Sequence, residues 1–171
     1  MSEHRPLEET HPHLREFTAF LAVLNKESDR GAVLIAATML EDLLGRSINS
    51  FLVPHDETER LLEGFNAPLG TFSSRILAAY SLGILSENEY RECDRIRKIR
   101  NVFAHNVHCS FEDQKVRDMC ATLGFSIKDT EDSRVSAKAQ FTSSAVSVIL
   151  NLTNRPHYVG QRRLKYGNWQ I

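Results

Sequence analysis

Between Ser28 and Pro54 the chain carries one uninterrupted helical stripe: Val33, Ala36, Ala37, Leu40, Leu44, Ile48 and Phe51 recur at three- and four-residue steps. Ser28 or Asp29 stands ready to cap its start, and Pro54 stops it. A pattern of that length excludes a strand there, and the segments on either side repeat the same period. Leu14, Phe17, Leu21 and Leu24 mark an earlier helix. The segment "DETERLLEGF" reads as a short helix closed by Gly64, followed by an "APLG" turn.

Local punctuation places the remaining helices. Thr71 caps "FSSRILAAYSL", with Gly83 just past its end. Ser86 and Glu89 form an S-x-x-E capping box, so a helix starts at Glu87 and runs to about Val107. Ser110 and Asp113 repeat that logic for "FEDQKVRDMCATL", ended by Gly124. After the charged loop "SIKDTEDSR", "AKAQFTSSAVSVILNLTN" forms a last helix stopped by Pro156. No strand alternation or repeat competes. The expectation is an all-α, single-domain bundle of about six to seven helices. A polar N-terminal arm covers 1–12, the helical domain 13–154, and a basic-aromatic tail 155–171.

Composition excludes several classes. A chain of 171 residues suits one domain, and a net charge of -1 gives no global pull toward nucleic acid or membrane. No apolar run approaches the roughly 18 residues of a membrane span, and the polar, acidic N-terminus does not resemble a secretory signal. The cytoplasm is the expected location. Cys93, Cys109 and Cys120 are odd in number without a CxxC pair, so they read as reduced, partly buried thiols. His105 and His108 lack further ligands at convincing spacing, and no Gly-rich phosphate loop or dinucleotide fingerprint occurs. Neither a metal nor a cofactor is expected.

The segment "DRIRKIRNVFAHN" carries the one constellation with chemical potential. On a helical wheel, Ile99, Phe103 and Val107 fall within about 60° of Ile96 and form a core stripe. Asp94, Asn101 and His105 fall on the far side, and Arg100 lies at the edge of the stripe. Arg100 and His105, five residues apart, do not share a face; Asn101 and His105 do. Two such helices paired across a two-fold would bring two Arg and two His into one cleft. There Arg could clamp phosphate and His could serve as general acid or base. The alternative is an ordinary solvated helix face.

"IRKIRNVFAHN", preceded by "APLGTFSSRILAAYSLGILSENEY", resembles the mannitol operon repressor family of bacteria over roughly residues 29–106. That resemblance implies an all-helical transcription-regulator class without a recognisable DNA-binding helix-turn-helix. More distantly, the chain is similar to the HEPN (higher eukaryotes and prokaryotes nucleotide-binding) superfamily. Many of its members are dimeric, metal-independent ribonucleases with an Arg-polar-x-x-x-His motif, which Arg100, Asn101 and His105 match residue for residue. Toxin members often continue His-x-Tyr, and here Val107 stands at the Tyr position, a departure that weakens the toxin-like reading.

Two further features stay open at this level. "RECDRIRKIR" is either a nucleic-acid groove or a salt-bridged helix exterior. Glu41 and Asp42 pair with Arg75 or Arg46, or Glu41 faces the same cleft as His105. The tail joins Arg155, Arg162, Arg163 and Lys165 to Tyr158, Tyr166 and Trp169 with no acid. It suits partner binding, through Arg162, Arg163, Tyr166 and Trp169 above all, or a strap across its own domain. The leading expectation is a non-enzymatic, homodimeric regulatory protein that binds another macromolecule, a protein rather than DNA, as a transcription regulator or an immunity or antitoxin protein would. The second is a metal-independent RNA endonuclease using Arg100, Asn101 and His105.

Overall fold

The computed structural model describes residues 14–130 and 133–169; the N-terminal arm expected over 1–12 lies outside them. Helices α1 (Arg15–Leu24), α2 (Asp29–Phe51), α3 (Asp56–Leu62), α4 (Phe72–Ser81), α5 (Glu87–His105), α6 (Gln114–Ala121), α7 (Ala137–Thr153) and α8 (Arg155–Gly160) follow in order. The only β pairing among the described residues is an isolated bridge between Thr130 and Ser133.

The long helix α2 is the axle of the bundle, packed against α1, α3, α4, α5, α7 and α8. Its sequence explains how one helix meets six neighbours. Ala32, Ala36, Ala37, Gly45 and Ser47 are buried and small, so neighbouring backbones approach closely, while Val33, Leu40, Leu43, Leu44 and Ile48 fill the core between them. The buried Ser47 hydroxyl is satisfied within the helix, donating to the Leu43 carbonyl at 2.7 Å. Ile96, Ile99 and Phe103 of α5 are fully buried, and Phe103, Phe111 and Phe141 stack as tilted rings 5.0 and 5.6 Å apart.

The caps behave as their sequences dictate. Ser28 accepts from the Gly31 N–H at 3.1 Å, and both Thr71–Ser74 and Ser86–Glu89 close reciprocal capping boxes. Gly64 (φ 101°) and Gly83 (φ 70°) take the left-handed backbone that ends α3 and α4. Three local readings need correction. Helix α5 stops at His105 rather than Val107, so Val107 leaves the core stripe and is 79% exposed. Helix α6 begins at Gln114, because Asp113 turns its carboxylate back to the Ser110 N–H (3.2 Å) and the intervening residues form a turn. Pro156 does not simply end the helical region: it sits in the first turn of α8, where its missing N–H is an orphan anyway.

Among the described residues three charged ones are buried, and each ties distant segments together. Arg75 donates to the carbonyls of Leu69 (2.9 Å), Glu41 (3.1 Å) and Leu62 (2.9 Å) and to the Glu63 carboxylate (3.1 Å). It thereby fastens the "PLG" turn and the end of α3 to α2. Glu89 receives Arg155 of α8 at 2.6 Å, and Arg155 also reaches the Ile84 carbonyl. Glu92 accepts from the backbone N–H groups of Gly124 (2.8 Å) and Phe125 (3.0 Å), from the Ser144 hydroxyl, and from Arg95 (3.1 Å).

Candidate functional site

The Arg100–His105 segment forms the last turn and a half of α5, held by the burial of Ile99 and Phe103 on the opposite face. Arg100 and Asn101 are half-buried, and Arg100 Nη1 donates to Asn101 Oδ1 at 3.1 Å. His105 is exposed at the final helical position and makes no hydrogen bond to either of them. Within one chain Arg100 is hydrogen-bonded to Asn101, while His105, five residues from Arg100, lies off its face as the helical geometry requires. Sequence reasoning missed Arg30. From the first turn of α2 it donates to the Asn106 carbonyl just past the end of α5. No local pattern signals that contact, since it spans 76 residues.

The basic run before the motif is a salt-bridged exterior. Arg91 pairs with Glu87, Arg95 with Glu92, and both Arg97 and Lys98 with Asp94 at 2.6 and 2.8 Å. Burial raises the Asp94 pKa, but the hydrogen bonds from Lys98 and Arg97 outweigh it and hold the carboxyl below its ordinary value. Arg100 is the exception: among the described residues it has no carboxylate partner, so its charge is not neutralised locally.

Glu41 and Asp42 also resolve. Asp42 pairs with Arg46, which bridges on to Glu16 of α1, whereas Glu41 offers Arg75 only its backbone carbonyl. No hydrogen bond or ion pair joins Glu41 to His105 among the described residues. Nor do His105 and His108 belong to any group of three or more potential metal ligands there. No helix among the described residues is long and apolar enough to cross a membrane.

Cys93, Cys109 and Cys120 are free and buried. Burial pushes the Cys93 and Cys120 thiols up to about 12, and the nearby Glu89 and Glu92 carboxylates add to the rise at Cys93. These thiols are packing groups rather than nucleophiles.

The tail divides into two parts. Arg155 is half-buried on Glu89, and α8 lies against α2 and α7, so this portion belongs to the domain. Beyond Gly160 the chain runs as a strap over the end of α2: the Leu164 N–H donates to the Phe51 carbonyl (2.8 Å) and Arg163 Nε to the Ser50 carbonyl (2.9 Å). Arg163 is thus an anchor of the strap. Arg162 and Lys165 stay exposed, with Tyr166 73% and Trp169 88% exposed.

With this geometry in hand, comparison with known proteins is informative about architecture. No family profile and no curated sequence matches the chain. Among solved structures it is similar to a chain of the MtlR-HPr complex from Escherichia coli. The TM-score is 0.59 at 21% identity, over 84% of this chain and 97% of that one. The likeness is one of fold. It covers nearly the whole of the other chain and most of this one.

Proposed function

We propose that this protein is a non-enzymatic helical regulator of the mannitol operon repressor class that acts by binding another protein. The observation that carries the reading is its fold likeness to a chain solved in complex with HPr. Site geometry supports it: Arg100 is bonded to Asn101, and among the described residues neither makes a hydrogen bond to His105. The exposed part of the strap, Arg162, Tyr166 and Trp169, is the partner-binding surface. A basic-aromatic surface with no acid suits an acidic protein partner. An immunity or antitoxin protein would use the same kind of surface.

The test is affinity isolation from the native host, paired with titration against random duplex DNA at physiological salt. One protein should be recovered stoichiometrically, and DNA binding should be weak because few phosphates could be neutralised. Tight, sequence-specific DNA binding by the chain alone would overturn the proposal. The specific observation that favours a second reading is the unneutralised charge of Arg100. A guanidinium left without a carboxylate, beside an amide and one turn from a histidine, is the equipment for gripping an RNA phosphate. That reading needs a second copy to complete the site.

A further inference from the structure

Residues of α2, α3 and α4 line a cleft of about 240 Å³, below the roughly 300–1,000 Å³ of drug-sized sites and suited to a small metabolite. The buried part of its lining is Gly45, Leu62 and Arg75, whose side chain is only 10% exposed. A guanidinium carries five N–H donors. Four of them are used here: Nε on the Leu69 carbonyl, one Nη1 hydrogen on Glu41, and both Nη2 hydrogens on Leu62 and Glu63. The other Nη1 hydrogen has no acceptor among the described residues. Gly45 leaves room beside that nitrogen, since a Cβ there would come within 2.8 Å of it. A nearly buried, charged donor left open at a cleft is a place for a ligand's acceptor, because sealing it off unpaired costs free energy.

The exposed part of the lining has the opposite character. Among the described residues the Glu59 carboxylate has no hydrogen-bond or ion-pair partner, and the Asn49 side-chain amide is equally free. Arg46 does not neutralise Glu59, because it is shared between Asp42 and Glu16. Arg75 is likewise engaged by Glu63. Three carboxylates against two guanidiniums leave the lining one net negative charge. A plain anion is therefore repelled, and a plain cation leaves the Arg75 donor unused. A divalent metal is disfavoured as well, since among the described residues no three potential ligands converge. We propose that the cleft binds a free basic α-amino acid, lysine or arginine, with its carboxylate inward on Arg75 Nη1 and its side-chain cation outward on Glu59. Both ends then make charge-assisted hydrogen bonds with groups that have capacity to spare. The site uses neither Arg100, His105 nor the exposed rings of the strap, so its test is independent of the partner-binding reading.

Isothermal titration calorimetry on the full chain, with ligand to about 10 mM so that millimolar binding registers, reads the site directly. L-lysine and L-arginine should bind with one site per chain. Cadaverine, which lacks the carboxylate, and L-norleucine, which lacks the side-chain ammonium, should each bind about tenfold more weakly or worse. L-glutamate should give no binding. Glu59→Gln changes an exposed, unpaired side chain, so it should weaken lysine binding about tenfold with Tm unchanged. Should its Tm fall, Glu59→Ser takes its place with the same expectation. In heteronuclear NMR the Arg75 Nε–H signal should move on adding lysine and stay in place with cadaverine. Absence of heat with lysine and arginine overturns the proposal. So does lysine binding undiminished in Glu59→Gln, cadaverine binding as tightly as lysine, or an Arg75 signal indifferent to saturating lysine.

Discussion

A Cβ placed on Gly45 would lie 2.8 Å from Nη1 of Arg75, so the buried guanidinium occupies the space that any other residue of α2 would need. Arg75 cannot step aside, because its donors are held by Leu69, Glu41, Leu62 and Glu63. Gly45→Val should therefore destabilise the fold by about 1–3 kcal/mol through overpacking. Gly45→Ala should cost less, since a helix-propensity gain of about 1 kcal/mol offsets part of the clash. Arg75→Met should cost about 2–4 kcal/mol by leaving buried carbonyls without donors. Urea denaturation of the three variants checks the order.

Glu92 predicts an acid limb of the stability curve. Its burial raises the carboxyl pKa, but the hydrogen bonds from Phe125, Ser144, Gly124 and Arg95 outweigh that and set it below the ordinary value. Glu89 is shifted the same way, with Arg155 and Ser86 overcoming burial. A carboxyl whose folded pKa lies below its unfolded value binds fewer protons when folded. Its stabilisation is complete above the unfolded value, about 4.3, and is lost as pH falls through the folded value. Thermal melts from neutral pH to about pH 3 should show Tm falling below the unfolded carboxylate range. Glu92→Gln should be less stable at neutral pH and lose less on acidification; an acid dependence identical to wild type would contradict the assignment.

Cys93 and Cys120 should resist alkylation in the folded protein near pH 8, since thiols pushed up to about 12 carry almost no thiolate there. Iodoacetamide followed by mass spectrometry should modify them only after denaturation. Rapid native labelling of Cys93 would show that its burial, beneath Glu89 and Glu92, is incomplete.

The strap yields a prediction that the sequence would have framed badly. Deleting everything after Asn154 would remove α8 and the Arg155–Glu89 pair, and so test folding rather than binding. Tyr166→Ala with Trp169→Ala leaves Arg163 and Leu164 tied to α2 and removes only exposed rings. The double variant should keep the wild-type Tm within about 1 °C, as surface changes do, and should lose the protein partner recovered by affinity isolation. Unchanged recovery would move the partner surface elsewhere.

What was legible in the sequence was whatever is decided locally. Ser28, Thr71 and Ser86 announce helix starts because a cap bonds only three residues ahead, and Gly64 and Gly83 announce ends because they relieve a left-handed backbone. The Ile96–Ile99–Phe103 stripe was readable from period alone. Val107 was not, because the helix ends first. Glu92 read as one more surface acid beside Arg95, but its other partners lie 32, 33 and 52 residues away and no local spacing encodes them. Arg30 was hidden for the same reason. In the candidate site, spacing gave the separation of Arg100 from His105, while the Arg100–Asn101 hydrogen bond and the exposure of Tyr166 and Trp169 depended on how side chains settle and how the strap crosses α2.

Whether the chain binds or cuts is decided by incubating purified protein with single-stranded RNA in EDTA. The regulator reading expects no cleavage, and His105→Ala and Arg100→Ala indistinguishable from wild type in the assay. His105→Ala should also keep its stability within about 0.5 kcal/mol, because the residue is exposed at the end of α5. Cleavage that leaves a 2′,3′-cyclic phosphate and falls by about 10² or more in His105→Ala, the scale of losing a general acid or base, would contradict that reading and make Arg100, Asn101 and His105 a catalytic site.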